Sequence, residues 1–358
     1  MASGRASIVI IGAGIMGASL AYHLAKRDVR VTLVDRGKPA SGVTHRSFAW
    51  INVSYGQPKI YLELRKRAVD EWRRLESELG GRLQIDWSGA LTWYADPDET
   101  ERFFQERVAM GHNMRLIRRD QLGVMEPCLK NLPVHAAFAA SEGAVDPVAA
   151  TELMVRAARE AGADIRLETE VLSLATKGSD IVGIVTSQGR IEADTVVLAA
   201  GVASRELSQP LGLDLPLEAS PSILMRFSTP KRLINRVIAN QYVELRPHSD
   251  TVMLGAESYI DDTEENGPRA VAERTMGEIR THLVGGDNVE LMDVQVGLRP
   301  YPKDRLPIIG RIGGVNGLYL SVMHAGVILA PLMGRLASSE ITQGTNDPLL
   351  APYRLNRF

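Results

Sequence analysis

The sequence predicts an α/β chain, α+β overall, in which a domain on a buried parallel sheet is interleaved with a smaller domain built on an antiparallel sheet. Three observations predict it. Residues 8–35 read as strand, glycine-rich turn, helix and strand. Residues 195–201 add a further apolar strand, and residues 216–258 fall into strand patterns separated by turns. With 358 residues, 45% hydrophobic and 23% charged, the chain has the length for two domains and the apolar content for a large core.

Ile8-Val-Ile-Ile11 is apolar throughout, as a parallel strand covered on both faces must be. Gly12-Ala-Gly14-Ile15-Met16-Gly17 follows at once, then an apolar helical stretch to Lys26. A second buried strand, Val31-Thr-Leu-Val34, is closed by Asp35 and Arg36. Each glycine has a job. Gly12 permits the tight turn, Gly14 leaves room for a pyrophosphate at the helix N-terminus, and Gly17 lets the helix lie close on the sheet. Asp35 stands where an acid accepts both ribose hydroxyls of an adenosine. This spacing predicts a Rossmann-like dinucleotide-binding unit, without separating NAD from FAD.

Ser41-Gly42-Val-Thr44-His45-Arg46-Ser47 supplies small, hydroxyl-bearing and basic residues suited to a second phosphate contact. Residues 59–80 form an amphipathic helix with Ile60, Leu64, Ala68, Trp72, Leu75 and Leu79 on one stripe, stopped by Gly80-Gly81. Nothing in it asks for a ligand. Residues 84–94 read as strands, 98–111 as a charged surface helix, and Arg118-Arg119-Asp120 as a solvated run. Asp146-Pro147 is an N-cap with a first-turn proline, opening a helix through Ala161. Short strands lead to Thr195-Val-Val-Leu-Ala-Ala200-Gly201, where small residues let the chain pass close beneath a dinucleotide. Antiparallel strands over 216–227, 240–246 and 251–258, a helix over 267–284 and a strand over 289–298 complete the order.

A net charge of -2 without a basic stripe predicts no nucleic-acid partner. A single cysteine, Cys128, excludes an intrachain disulfide framework and an iron–sulfur cluster built from this chain alone. No metal site is expected. No signal-like segment precedes Ile8 and no apolar run reaches bilayer length, so a soluble cytoplasmic protein is the expectation.

The chain resembles the D-amino-acid oxidase family of FAD-dependent oxidoreductases, which includes glycine oxidase, monomeric sarcosine oxidase and the flavin subunits of sarcosine oxidase and of opine and hydroxyproline dehydrogenases. The resemblance is carried by the glycine fingerprint with Asp35, Ser41-Gly42, Glu170-Val171 and Ala199-Ala-Gly201. Its most specific part is the block Gly297-Leu-Arg299-Pro300, Leu306-Pro307-Ile-Ile-Gly310, Gly317-Leu-Tyr-Leu and His324-Ala325-Gly326-Val327-Ile328-Leu-Ala-Pro331. It implies FAD, with Gly12, Gly14 and Gly17 at the pyrophosphate, Asp35 at the adenosine ribose and the Val171 backbone at the adenine. His324, Ala325 and Gly326 would start a helix whose N-terminus faces the flavin pyrimidine, where free N–H donors and the positive dipole end suit an anionic reduced flavin. The implied division is an FAD-binding domain of residues 1–82, 141–215 and 296–358, and a substrate domain of residues 83–140 and 216–295.

On the substrate side the resemblance assigns Arg299 to the carboxylate of an amino-acid substrate; the alternative is a structural pairing with Glu244 or Asp304. His324 tunes the flavin, contacts substrate or only opens its helix, and His45 is a contact beside the isoalloxazine. Arg46 helps bind substrate or flavin. Trp50 reads as a pocket wall, and Tyr242 and Tyr259 as pocket or packing residues. The implied reaction is oxidation of the C–N bond of a carboxylate-bearing amine by hydride transfer to flavin N5, giving an imine that hydrolyses, with no histidine or carboxylate needed as base. Gly297 stands where monomeric sarcosine oxidase has its flavin-linked cysteine, so a noncovalent FAD is expected; attachment through a histidine stays open. Met253 stands where that enzyme has an oxygen-activating lysine. Oxygen or another electron acceptor, homo- or hetero-oligomer, and a flavin-binding subunit docked in a larger electron-transfer assembly all stay open.

Overall fold

The computed structural model describes residues 5–56, 58–259, 261 and 263–358. Six strands form the first sheet, in the order Ile308–Ile312, Val315–Val322, Thr195–Leu198, Ser7–Ile11, Arg30–Val34 and Asp164–Arg166. Neighbours run parallel except in the terminal hairpin of Ile308–Ile312 with Val315–Val322. The strand Ser7–Ile11 is apolar on both sides because both sides are covered. Ile8 and Ile10 join the core beneath the helices, while Val9 and Ile11 join a second core with Ile181 and Ile184. Those last two belong to a three-stranded sheet of Val171–Lys177, Asp180–Thr186 and Gly189–Glu192.

The helix Ile15–Ala25 is buried along nearly its whole length, packed against Pro147–Glu160 and Gly326–Gln343. Backbone approach is close on the latter: a Cβ on Gly334 would lie 2.2 Å from Ser19 Oγ, and that hydroxyl donates to the Ala330 carbonyl at 2.7 Å. Pro331 sits inside the same helix and has no N–H for the carbonyl four residues earlier. The indole of Trp72 supplies the missing donor, reaching Val327 O at 3.2 Å and Ile328 O at 3.0 Å.

Eight strands form the second sheet, in the order Glu290–Pro302, Leu217–Ser228, Val252–Ser258, Glu244–Pro247, Val237–Ala239, Ala90–Thr92, His135–Ala139 and Arg115–Arg118. It is antiparallel apart from Val237–Ala239 beside Ala90–Thr92. One face carries Ile223, Met225, Phe227 and Met253 into a core with Val271 and Ile279 of the helix Pro268–His282. Arg246, 3% exposed, ties this sheet to the first one's loops by donating to the carbonyls of Phe48 and Val145.

Asp146 caps its helix as expected, accepting the N–H groups of Val148 and Ala149 at 2.9 and 3.1 Å. Four expectations change. Ile60 is 47% exposed, because an i, i+4 row drifts about 40° per step around the helix and leaves its first member on the rim. Of residues 84–94 only Ala90–Thr92 is a strand. Residues 240–243 form a turn, with Asn240 Oδ1 accepting the N–H of Tyr242 and Val243, before the strand Glu244–Pro247. The expected boundary at 296 falls inside Glu290–Pro302, which stays in the eight-stranded sheet to its end. Among the described residues no helix is long and apolar enough to cross a membrane.

Candidate active site

Between the two large sheets lies a cavity of about 1580 Å³. Its floor begins at the glycine turn. Gly12 adopts φ +105°, and a Cβ there would lie 2.6 Å from the Ala199 carbonyl on the neighbouring strand. A Cβ on Gly17 would lie 1.8 Å from the Gly12 carbonyl, so this glycine protects the turn itself rather than only the helix–sheet distance. Gly14 ends the turn as N-cap without a side chain of its own; the Thr44 hydroxyl accepts the Ile15 N–H at 3.2 Å instead. Asp35 carries more than the sequence showed. Its carboxylate accepts the N–H of Ala13 at 2.6 Å and of Gly37 at 2.7 Å, stapling both turns while keeping lone pairs for hydroxyl donors.

Of the residues expected at the cofactor, Gly12, Gly14, Ile15, Met16, Asp35, Arg36, Ser41, Gly42, Thr44, Arg46, Ser47, Val171, Ala200 and Gly201 line the cavity, and so do Arg299, His324, Ala325, Gly326, Val327 and Ile328. Gly17 sits behind the turn. His45 does not line the cavity either: in the 3₁₀ turn Val43–Arg46, residues 43 and 46 share the inward face and 45 is rotated off it. Trp50 is a wall, with its ring edge-on to Tyr55 at 5.5 Å. Tyr242 is 45% exposed and stacks on His282, Tyr259 packs on the second sheet's core, and Met253 is buried there, so none of the three lines the cavity. A Cβ on Gly297 would already press Arg46 Cβ at 3.0 Å.

The helix Gly326–Gln343 also starts on the cavity, with Gly326 beside Met16. Just before it, the Tyr61 hydroxyl donates to the His324 carbonyl at 3.1 Å and accepts the Ala325 N–H at 3.2 Å. Arg65, one turn on from Tyr61, lies over that ring at 4.9 Å and donates to Asn52 Oδ1 at 2.5 Å. Both residues belong to the helix Lys59–Glu78, which therefore does face the cavity; sequence reasoning missed them because the apolar stripe explained the helix without them. Burial, then the charges of Arg299, Arg65 and Arg305, push the His324 imidazole down to about 3. It is neutral.

The second sheet contributes one face. Register aligns Gln295, Leu224, Ala256, Glu244 and Ala239 across it, with Gly297, Ser222 and Ser258 two residues along, then Arg299 with Ser220, then Tyr301. Ser222, Ala239, Glu244, Ala256, Ser258, Arg299 and Tyr301 of this face line the cavity. Tyr301, two residues after Arg299, was findable from strand periodicity. Arg299 Nε donates to Ser220 O at 3.3 Å, and Nη2 donates to Ser220 Oγ at 3.0 Å and Pro221 O at 3.1 Å. Asp304 pairs with Arg357 instead. Among the described residues no carboxylate lies within ion-pair distance of Arg299, which lines the cavity and makes no protein hydrogen bond at Nη1.

The wall fits a flavin dinucleotide. The helices Ile15–Ala25 and Gly326–Gln343 both open onto the cavity, the glycine turn leaves room for phosphates, and Trp50 Nε1, Arg65 Nε and Ser321 Oγ on the lining are buried without partners among the described residues.

Residues 7–340 match the family model described as DAO, FAD dependent oxidoreductase. A glycine oxidase of Pseudomonas aeruginosa is 27% identical over 384 residues, covering 97% of each protein. Human mitochondrial dimethylglycine dehydrogenase is 25% identical over 387 residues, covering 99% of this chain and 44% of that one. Glycine oxidase from Geobacillus kaustophilus has a similar solved structure, with TM-score 0.87, 21% identity, and 99% and 100% of the two chains covered. L-amino acid deaminase from Proteus myxofaciens in complex with anthranilate gives TM-score 0.88 at 21% identity, covering 99% and 94%.

Proposed function

Because the chain belongs to the DAO family of FAD-dependent oxidoreductases, we propose that it oxidises the C–N bond of a carboxylate-bearing amine to an imine that then hydrolyses. FAD is its cofactor and its donors are of the CH–NH kind. When bound, FAD would supply the acceptor for the hydride at its N5. In this reading residues 1–82, 141–215 and 296–358 hold the FAD. The substrate lies against the sheet face of residues 83–140 and 216–295, to which Glu290–Pro302 adds its whole length. Amino acids, N-alkyl amino acids and imino acids fit; the names of the glycine oxidase and dimethylglycine dehydrogenase relatives support this range.

The single observation that carries the proposal is Arg299. Three hydrogen bonds to Ser220 and Pro221 fix its guanidinium plane on the cavity wall, and among the described residues Nη1 makes none. A fixed cation there grips a carboxylate and so orients the neighbouring C–H. Tyr301, its ring 5.1 Å from the guanidinium, braces it from the same sheet face. His324 beside them stays neutral and adds no competing charge. A role mainly as a docking subunit is not favoured, since the glycine oxidase matches at 97% of both lengths.

The test is anaerobic flavin bleaching across glycine, N-methylglycine, D-alanine and D- and L-proline, followed by air. Bleaching names the donor, and the speed of recovery separates oxygen from another acceptor. Arg299→Ala should raise the half-saturating amine concentration about 10- to 100-fold, equivalent to roughly 1.5–3 kcal/mol, with flavin content unchanged. Unchanged half-saturation would refute the carboxylate grip.

A further inference from the structure

We propose that Glu244 receives the cationic nitrogen of the substrate and takes the proton this nitrogen must lose before its neighbouring C–H departs as hydride. The proposal rests on the amine-oxidation reading above and adds a catalytic group to it.

Among the described residues the fully buried carboxylates have partners. Glu340 is held by Arg354 and Tyr319, Glu126 by Arg236 and Asn235, Glu142 by the N–H groups of Val53 and Ser54, and Glu71 by Arg74 and Arg335. Glu244 differs. It stands half-buried on the cavity wall, among the described residues no protein hydrogen bond supports its carboxylate, and its neighbours there are another carboxylate, Glu257, and the distant cation Arg299. An enclosed acid without a donor asks for a cation. Arg299 and Glu244 share one face of the sheet and each feels the other's charge across the cavity, so an amino acid gripped at its carboxylate by the first can turn its nitrogen towards the second.

Burial, and then the like charge of Glu257, push the Glu244 carboxyl up to about 7 despite Arg299. That places it ready to hold a proton near neutral pH, and each unit gained over an ordinary glutamate makes proton transfer from an ammonium about tenfold less uphill. The step balances simply. One proton passes from the ammonium nitrogen to a Glu244 oxygen, the N–H bond breaks, the O–H bond forms, and the nitrogen keeps the electron pair; no electron changes hands. That lone pair then assists departure of the C–H with its electrons. No proton is abstracted from carbon. The charged and titratable groups around Glu244 are Glu257 on Val252–Ser258, Arg299 on Glu290–Pro302, Tyr55 on the loop after Trp50–Ile51, and Arg246 on its own strand.

The experiment follows the holoenzyme's flavin reduction without air, using whichever amine of the panel above bleaches it, from about pH 6 to about pH 10. The ratio of reduction rate constant to half-saturating concentration is the readout. An ionised Glu244 meeting a free ammonium carries the same proton count as a neutral pair. The wild-type ratio should therefore stay flat between about pH 7 and about pH 9, falling only below. In Glu244→Gln it should fall about tenfold per unit as pH drops over that span, while calorimetry finds the Kd of acetate changed by less than about twofold. A wild-type ratio that already falls tenfold per unit, or a variant as flat as the wild type, overturns the proposal. The wild-type profile decides even if the variant sheds its flavin. Failure of every amine to bleach the wild type would overturn the amine reading, and Glu244's role with it; bleaching with a sloping profile overturns Glu244 alone.

Discussion

His324 faces Arg299, Arg65 and Arg305, and it answers by staying neutral. Its folded value, about 3, lies below the ordinary 6.5, so the unfolded chain binds the extra proton first. Its contribution to stability is therefore complete above about pH 6.5 and drains away as pH falls towards 3. His324→Asn should lose less thermal stability than the wild type between pH 7 and pH 4, measured by melting in the two buffers; equal losses would contradict the assignment. Arg299 and His324 were legible in the sequence because each sits in a short, spacing-dependent motif. Arg65, Tyr61 and Glu244's missing partner were not. Their meaning arises where a helix and two sheets meet, and no local pattern reports that. His45 shows the reverse error, since chain proximity to the flavin loop does not tell which way a 3₁₀ turn points a side chain.

At the scale of elements, the helix Gly326–Gln343 has to open onto the cavity and also carry Pro331. Trp72 makes the two compatible by donating to the Val327 carbonyl that the proline leaves without an N–H. Trp72→Phe keeps most of the buried ring and deletes the donor. It should cost about 1–3 kcal/mol, seen as a lower urea midpoint with an unchanged slope. A midpoint equal to the wild type's would mean the carbonyl is satisfied otherwise. Trp72 itself was readable as core from the stripe of its helix. Its indole's errand was hidden, because Val327 lies 255 residues away in the chain. The glycine turn was legible, being local, although Gly17's approach to the Gly12 carbonyl was not. Asp35's bonds to Ala13 and Gly37 were not, since a ribose role already accounted for an acid there.

Over the whole molecule, the chain passes back and forth between two sheets, and the contact between them is largely the wall of a cavity. Arg246 is one of the direct fasteners, and its guanidinium, buried enough to be pushed down to about 10, holds carbonyls of Phe48 and Val145. The presence of most strands followed from patterning; their order across each sheet, the second sheet's parallel pair and the long reach of Glu290–Pro302 did not, because pairing is set by which strands end up adjacent. A ligand filling such a seam stabilises by mass action, about 2.7 kcal/mol at a hundredfold excess over its Kd. Removal of FAD should accordingly lower the melting temperature by several degrees, and adding it back should restore the loss in proportion to the logarithm of its concentration. A melting temperature indifferent to FAD would mean the sheets hold together unaided.

That seam has a consequence for the protein's life before its first turnover. A chain released from the ribosome without its flavin would carry a wet crevice, rimmed by Trp50, Tyr55 and Tyr301, through its middle. Proteases and chaperones would meet that form first, so vitamin supply, as much as gene expression, would set how much finished enzyme accumulates.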